Sequence, residues 1–180
     1  MTKHLLIYIL CLGILNASCQ NSNSTTPKSK YQQTEDSIKA LLPNPIGYVS
    51  DYENILTKDE INSISSIIDS IKNTNGPEFA IITWDSATMP KMDFELLNLA
   101  TANKWGVGDK DKNNGILIGI SNGLRNVNIQ NGIGISKVYS NEETKNIIEQ
   151  TMKPFLKQGK FYEGLKAAIM RMTEELRGRI

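Results

Sequence analysis

Three oxygen-bearing side chains occupy alternate positions of one polar loop near the middle of the chain. They are Asp109, Asp111 and Asn113. Alternate spacing lets side chains converge on one point as a backbone curls, and carboxylate and carbonyl oxygens are the ligands that Ca²⁺ and Mg²⁺ prefer. The order resembles the first half of a calcium-binding loop, although Asn114 stands where that pattern needs a glycine and Ile120 where it needs a bidentate glutamate. We therefore weigh a weak divalent-cation site against a solvated acidic turn.

Missing residue types limit the other chemistry of this chain. The single histidine is His4 and the two cysteines are Cys11 and Cys19, all close to the N-terminus. Beyond them, a Ser-His-Asp triad, a Cys-His dyad or a phosphorylated histidine or cysteine has no residue to form it. A structural zinc site is equally disfavoured because it needs imidazole or thiolate ligands. Oxygen ligands and hard cations remain.

The N-terminus has the pattern of an export signal. A basic start precedes the apolar run from Leu5 to Leu15, which is too short to span a bilayer and ends in small residues. We predict that residues 1–18 are a cleaved signal peptide. Cys19 follows Ala-Ser as in a bacterial lipobox, with Asn16 at the position that is usually aliphatic. We predict that Cys19 is lipidated and anchors the protein to a membrane; ordinary cleavage and release of a soluble protein is the alternative.

A tether and a single domain are predicted to follow the signal. Residues 19–42 are mostly polar and cannot bury enough apolar area to fold, so they are predicted to form the lipidated cysteine and a disordered linker. The domain is expected over residues 43–180. The chain has 20 Lys and Arg against 19 Asp and Glu, and loss of Lys3 with the signal makes the two signs equal. A basic surface for nucleic acid is therefore not expected, and the predicted location is the bacterial cell envelope, periplasm-facing or at the surface.

Hydrophobic periodicity predicts alternating helices and strands within the domain. A capping-box pattern from Thr57 to Glu60 begins an amphipathic helix that ends at Asn-Gly-Pro, residues 75–77. The other predicted elements are strands at 78–84 and 116–120, a helix at 93–104, a half-exposed strand at 126–130 after an Asn-Gly turn, and two C-terminal helices separated near Lys153-Pro154. Helices that flank strands predict an α/β fold, a layered sandwich with a small mixed β-sheet flanked by helices.

Several single residues have expected roles in this architecture. Asp85 comes at the C-terminal end of the first long strand, where ligands often bind in open α/β sheets. Gly119, inside the next strand, leaves room for a close neighbour. Gly132 and Gly134 do not lead into a helix with a third glycine in the dinucleotide register, so no nucleotide is expected. Arg125 could bind an anion, but an ion pair with a nearby carboxylate is favoured.

A set of uncommon features occurs in a fixed order over about residues 43 to 175. They are Pro-Ile-Gly-Tyr-Val-Ser-Asp at 45–51, Ile-Leu at 55–56, Trp-Gly-Val-Gly at 105–108, Asn-Asn-Gly at 113–115, Arg125, the alternating Val127 and Ile129, and the pair Gly132 and Gly134. This order resembles the TPM domain family, a domain of the thylakoid lumen and the bacterial envelope known mainly for its association with phosphatase activity. The resemblance implies the same α/β sandwich.

The resemblance also implies a second candidate metal site. Members of the family typically carry an aspartate in the Val-x-Asp turn, which corresponds to Asp51, and two acidic residues after the paired glycines. Those two positions hold Ser136 and Asn141 in this sequence, so neutral oxygens replace two carboxylates. A site of this composition would hold Ca²⁺ at roughly the 10⁻⁴ to 10⁻³ M level. A turn role for Asp51 and a helix-capping role for Asn141 are the alternatives.

Three hypotheses of function remain. The first is a membrane-tethered envelope domain that binds Ca²⁺ or Mg²⁺ weakly and recognises a protein partner; the resemblance supplies the metal and the partner, and the missing carboxylates argue against turnover. The second is a divalent-metal-dependent acid phosphatase, whose attacking group would come from Asp51, Asp85, Asp109 or Asp111. The third is a structural adaptor that binds no metal ion.

Overall fold

A four-stranded mixed sheet forms the centre of the protein, whose computed structural model describes residues 37–180. The strands are β1 (Val49–Asp51), β2 (Glu78–Thr83), β3 (Gly115–Ser121) and β4 (Asn126–Asn131), in that spatial order. The first three are parallel, and β4 is antiparallel to β3. Residues 37–41 are helical and Leu42 is buried, so packed structure includes residues before the predicted domain start at residue 43.

Helices cover both faces of the sheet. They are α1 (Lys58–Asn73), α2 (Phe94–Trp105), α3 (Ile133–Ser136), α4 (Asn141–Asn146), a π-helical segment (Ile147–Met152), α5 (Lys153–Leu156) and α6 (Phe161–Leu176). One core contains Ile68 of α1, Ile118 of β3 and Ile169 of α6. The core on the other face contains Ile82 and, from α2, Leu97. The predicted α/β sandwich, with helices on both sides of a small mixed sheet, is confirmed.

Local signals located most of these elements correctly. The Thr57 hydroxyl accepts from Glu60 N (3.3 Å), and the Glu60 carboxylate accepts from Thr57 N (2.7 Å), so the capping box of α1 is present. β2 and β3 are buried along almost their whole length, as their consecutive apolar residues predict. Asp93 is the N-cap of α2 and not its first residue, since its carboxylate accepts from Glu95 N and Leu96 N, both at 3.0 Å.

The C-terminal helical region differs from the prediction. An interruption was expected near Lys153-Pro154, yet the chain stays helical from Asn141 to Leu156. The π-helical segment directly before the proline accounts for this. Pro154 has no N–H, and in a regular α-helix its ring would clash with the carbonyl four residues earlier; a wider turn relieves the clash without ending the helix. No helix within residues 37–180 is long and apolar enough to cross a membrane.

The contact between α2 and β3 depends on Gly119. A Cβ atom at this position would overlap Oδ1 of Asn98, so the glycine admits a close neighbour as predicted. Asn98 is fully buried. Its Oδ1 accepts from Trp84 Nε1 (3.0 Å), and its Nδ2 donates to Phe94 O (2.8 Å). One amide side chain therefore fixes α2 against the sheet and satisfies the buried indole N–H.

Substitutions at this contact should destabilise the fold and should be coupled. Gly119→Ala is expected to lower the free energy of unfolding by about 1–3 kcal/mol because the methyl group overpacks the contact. Asn98→Ala should cost about 1–3 kcal/mol, since it leaves the Trp84 N–H without an acceptor. The double variant should lose less than the sum, because the second substitution removes the atom that the new methyl group meets. Urea unfolding measures all three; strictly additive losses would contradict the contact.

Candidate functional site

The predicted site residues lie at two opposite edges of the sheet. Asp51 pairs with Thr83 at the carboxyl ends of β1 and β2, which we call the upper edge. Ser136 follows β4, whose last residue, Asn131, pairs with the start of β3 at the lower edge. β2 has six residues, so at about 3.3 Å per residue the two edges are roughly 16 Å apart. The structure therefore does not bring Asp51 and Ser136 into one cluster, contrary to the grouping that the resemblance implied.

Asp51 holds a turn at the upper edge. Its Oδ1 accepts from Ile55 N (3.2 Å) and from the Thr83 hydroxyl, and its Oδ2 accepts from Leu56 N (2.9 Å). The Thr83 side chain is itself buried at the end of β2. Both carboxylate oxygens are thus engaged in fastening the chain after β1 to the neighbouring strand, which is the turn role weighed for this residue.

A second carboxylate at the upper edge, Glu53, was not predicted. Its two oxygens accept from Asn122 N and Gly123 N, both at 2.7 Å, across separations of 69 and 70 residues. No local pattern could indicate partners so distant in the sequence. Asp85 follows β2 as predicted and accepts from the backbone N–H two residues later (2.9 Å) and a hydroxyl three residues later (3.4 Å). The upper-edge carboxylates therefore all stabilise turns.

The lower edge holds the loop from Asp109 to Gly115. Asp109 Oδ1 accepts from Lys112 N (3.0 Å) and Asp111 N (2.9 Å). These two backbone N–H groups hold the pKa of the Asp109 carboxyl below its ordinary value. In the part of the chain that the structure describes, Asp109 Oδ2, the Asp111 carboxylate and Asn113 Oδ1 accept no hydrogen bond. The predicted loop thus places three oxygen-bearing side chains with open acceptors on one short turn.

Asn114 determines the shape of this loop. Its Oδ1 accepts from Asp109 N and its Nδ2 donates to Gly76 O, both at 3.0 Å, and the residue is buried. The position that a calcium-binding loop gives to glycine is therefore a link to the turn after α1. Gly134 N donates to Asn113 O (3.0 Å), and a Cβ on Gly134 would overlap a loop carbonyl. The paired glycines thus bring the segment after β4 against the loop.

Two predicted ligands lie near this edge in local structural roles. The Ser136 hydroxyl donates to Asn131 O at 3.5 Å. Asn141 is the first residue of α4 and not its cap, so the capping role considered for it is wrong. Ser140 is the N-cap: its hydroxyl accepts from Glu143 N (3.2 Å), and the Glu143 carboxylate accepts from Ser140 N (2.7 Å). A serine with a glutamate three residues later satisfies both N–H groups, so no cap is left for Asn141.

A cavity of about 440 Å³ opens beside the loop at the lower edge. The end of α2, the turn that follows it and the end of β4 form its walls. Leu99 and Ile133 give it apolar surface, and Asp109 and Asn113 also line it. Its size is within the range of small-ligand pockets. The loop oxygens are therefore next to a concave surface, whereas the upper-edge carboxylates serve turns.

The side chains available as ligands limit how a metal ion could be bound at the lower edge. Among residues 37–180, no group of three or more His, Cys, Asp or Glu side chains is placed to hold a metal ion. A cation at the loop would therefore depend on two carboxylates together with neutral oxygens. Arg125 forms no ion pair within the same residues, so the favoured prediction for it is wrong. It is exposed in the β3–β4 turn with φ +50°.

Comparison with known proteins gives one family. Residues 49–175 match the model of the TPM domain. The chain is similar to the N-terminal domain of a protein from P. gingivalis, with 25% identity and a TM-score of 0.65 over 78% of this chain and 88% of that chain. It shares its fold with the N-terminal domain of the cg2496 protein from Corynebacterium glutamicum (15% identity, TM-score 0.55, 74% and 85%). The BA42 protein from the psychrophilic bacterium Bizionia argentinensis also has this fold (21%, 0.55, 69% and 83%). No curated protein matches.

The two kinds of aspartate should differ in their effect on stability. Asp51→Ala is expected to lower the free energy of unfolding by about 2–3 kcal/mol, because two backbone N–H groups and the buried Thr83 hydroxyl lose their acceptor. Asp111→Ala is the matched control: its carboxylate accepts no hydrogen bond within residues 37–180, so the change should stay within about 0.5 kcal/mol. Chemical denaturation measures both. Equal losses would show that the contacts of Asp51 are not what stabilises the upper edge.

Proposed function

This chain belongs to the TPM domain family, and from that membership we propose that it is an envelope domain, tethered through Cys19, that binds Ca²⁺ or Mg²⁺ weakly and recognises a protein partner. The predicted export signal and the polar composition of the predicted linker support the location. We assign the cation to the loop of the lower edge. The histidine and the cysteines of this chain all lie near the N-terminus, so the rest of the chain can offer a metal ion only oxygen ligands. Such ligands suit hard cations.

One observation favours the loop over the upper edge as the cation site. The carboxylates of Asp51, Glu53 and Asp85 each have both oxygens engaged by N–H or hydroxyl donors. A cation at the upper edge would share these oxygens with hydrogen bonds that stabilise turns. Asp109 keeps one oxygen and Asp111 keeps both oxygens free of such bonds within the described chain. A cation at the loop would find oxygens that accept no hydrogen bond from the described residues, which favours binding there.

The number of charges supports weak binding. Asp109 and Asp111 contribute two carboxylates, and Asn113 contributes a neutral carbonyl oxygen. Another oxygen at the same edge, Asn131 Oδ1, is buried without a hydrogen-bond partner among the described residues. Affinity for Ca²⁺ follows the charge and the number of ligands, and low-charge extracellular modules have dissociation constants of roughly 10⁻⁴ to 10⁻³ M. We expect this range for the loop.

A Ca²⁺ titration followed by backbone amide NMR shifts tests the assignment. The largest changes should fall on residues 109–115 and saturate in roughly the millimolar range. Asp111→Asn should weaken binding about tenfold because it removes one of two ligand charges. Asp85→Asn, at the upper edge, is the matched control and should leave the dissociation constant unchanged. Shifts centred on Asp51 and Asp85 would contradict the loop assignment, and the absence of any shift would favour the metal-free adaptor.

A phosphatase is the competing function that the family's association suggests. In the presence of Ca²⁺ or Mg²⁺, hydrolysis of a generic phosphomonoester by the purified protein is expected to stay at the rate of the blank. The reason is that Ser136 and Asn141 replace two carboxylates that family members typically carry, and the oxygens of Asp51 and Asp85 already accept hydrogen bonds. Turnover that is abolished by Asp51→Asn, in a variant that remains folded, would replace the proposed function with catalysis.

Membrane attachment rests on Cys19, which lies outside the described residues and remains a prediction from the sequence. The processed protein is expected in the membrane fraction, and Cys19→Ser should move it to the soluble fraction. Each buried methylene contributes about 0.8 kcal/mol, so two or three acyl chains hold a protein stably. Ser18→Ala, which keeps the cysteine, is the matched control and should remain with membranes. A processed wild-type protein that is soluble without detergent would refute lipidation.

A further inference from the structure

The chain enters the domain beside the cavity of the lower edge. Leu42 O accepts from Lys104 Nζ (2.5 Å), and Pro43 O accepts from Trp105 Nε1 (2.9 Å). Both contacts fasten the entering segment to the last turn of α2, which ends at Trp105. The next residue, Gly106, lines the cavity. The entering segment and the cavity are therefore next to each other at the lower edge.

The predicted tether keeps this edge near the membrane. Helical residues 37–41 span about 8 Å. The two edges are roughly 16 Å apart, so residue 37 does not reach the upper edge. Residues 19–36 lie outside the described residues; a flexible linker of about 18 residues has an end-to-end distance of roughly 25 Å, and a domain of this size is roughly 35 Å across. The edge where the chain enters therefore stays closer to the membrane than the opposite edge.

Exposed hydrophobic side chains occur at the cavity and on the entering segment. Leu99 is 43% exposed and Ile133 is 70% exposed, and both line the cavity. Leu41, which is 68% exposed, comes directly before the residue that Lys104 holds. Single exposed hydrophobic residues are ordinary on a protein surface, but several on one side favour contact with a partner or a membrane. Because the predicted anchor is in the membrane, a bilayer surface is the partner nearest to these side chains.

The charge of the loop at this edge depends on a cation. Asp109 and Asp111 are balanced by Lys110 and Lys112, so the loop is neutral when it is empty, and a bound Ca²⁺ ion makes it positive. Within the described residues the loop offers four open side-chain oxygens, one on Asp109, two on Asp111 and one on Asn113. Ca²⁺ takes roughly six to eight oxygen ligands. The loaded loop therefore attracts anions and has coordination positions left for their oxygens.

We propose that the lower edge docks on an anionic phospholipid surface when Ca²⁺ is bound. Headgroup phosphate oxygens complete the coordination of the cation, and Leu99 and Ile133 enter the interfacial region of the bilayer. This inference rests on the proposed function, both for the cation site and for the anchor at Cys19. An acidic peptide would meet the same charge, but the tether keeps lipid headgroups at high local concentration beside this edge. Docking turns the upper edge away from the bilayer, where a protein partner has access to it.

Vesicle sedimentation tests the docking. The protein is the mature chain, residues 19–180, with Cys19→Ser so that no lipid is attached. Binding to vesicles of equal parts phosphatidylcholine and phosphatidylglycerol should be roughly tenfold or more stronger in millimolar Ca²⁺ than in EDTA, because the cation adds two charges that act on an anionic surface. Vesicles of phosphatidylcholine alone should bind weakly in both solutions.

Two double variants separate the apolar contact from general surface effects. Leu99→Ser with Ile133→Ser removes the exposed hydrophobic side chains of the cavity and should weaken Ca²⁺-dependent vesicle binding roughly tenfold. Leu96→Ser with Leu124→Ser is the matched control, because both residues are similarly exposed and neither lines the cavity. The control should bind vesicles as the parent protein does. Both double variants should keep the Ca²⁺-induced amide shifts of the loop.

The outcomes distinguish failure of the docking from failure of the cation site. Ca²⁺-induced shifts on residues 109–115 without Ca²⁺-dependent vesicle binding would overturn the docking and leave the proposed cation site intact. Vesicle binding that is equal in Ca²⁺ and EDTA, or equal in the two double variants, would also overturn the docking. If neither amide shifts nor vesicle binding respond to Ca²⁺, the cation site and the docking are refuted together.

Discussion

Hydrogen bonds from main-chain N–H groups to side-chain oxygens determine which carboxylates of this protein stabilise turns and which keep an oxygen available to a ligand. A buried or half-buried N–H in a turn needs an acceptor, and leaving it without one costs about 1–3 kcal/mol. The upper edge meets this need with the carboxylates of Asp51, Glu53 and Asp85. Both oxygens of each of these carboxylates accept hydrogen bonds. The carboxylates at the edge where α/β sheets often bind ligands therefore stabilise turns in this protein.

At the lower edge, an amide side chain satisfies a main-chain N–H group. Asn114 satisfies the N–H of Asp109 and reaches the turn after α1 with its other end. An amide side chain both accepts and donates, so one neutral residue can satisfy this N–H group without a carboxylate. Within the described residues, Asp109 keeps one oxygen and Asp111 keeps both oxygens free of hydrogen bonds. The difference between the edges therefore comes from which residue type closes each turn and not from the number of acidic residues.

The sequence predicted those structural features that depend on residues close together in the chain. The capping box at Thr57, the buried strands β2 and β3, and the space at Gly119 all follow from residue types within a few positions, and all were predicted. The pairing of Glu53 with the β3–β4 turn could not be predicted, because it depends on strand order and register across many residues. The same reason explains why the sequence could not reveal that Asp51 and Ser136 are far apart: Asp51 ends β1 and Ser136 follows β4, and the antiparallel direction of β4 puts them at opposite edges.

The loop from Asp109 to Gly115 and the end of β4 are held together by hydrogen bonds. Gly132 N donates to Gly115 O and Gly134 N donates to Asn113 O, so the carbonyls at the end of the loop hold the chain as it leaves β4. The glycines permit this approach, since a side chain at Gly134 would overlap the loop backbone. Because these two hydrogen bonds join the loop to the end of β4, the loop and the end of the strand form one connected piece of backbone.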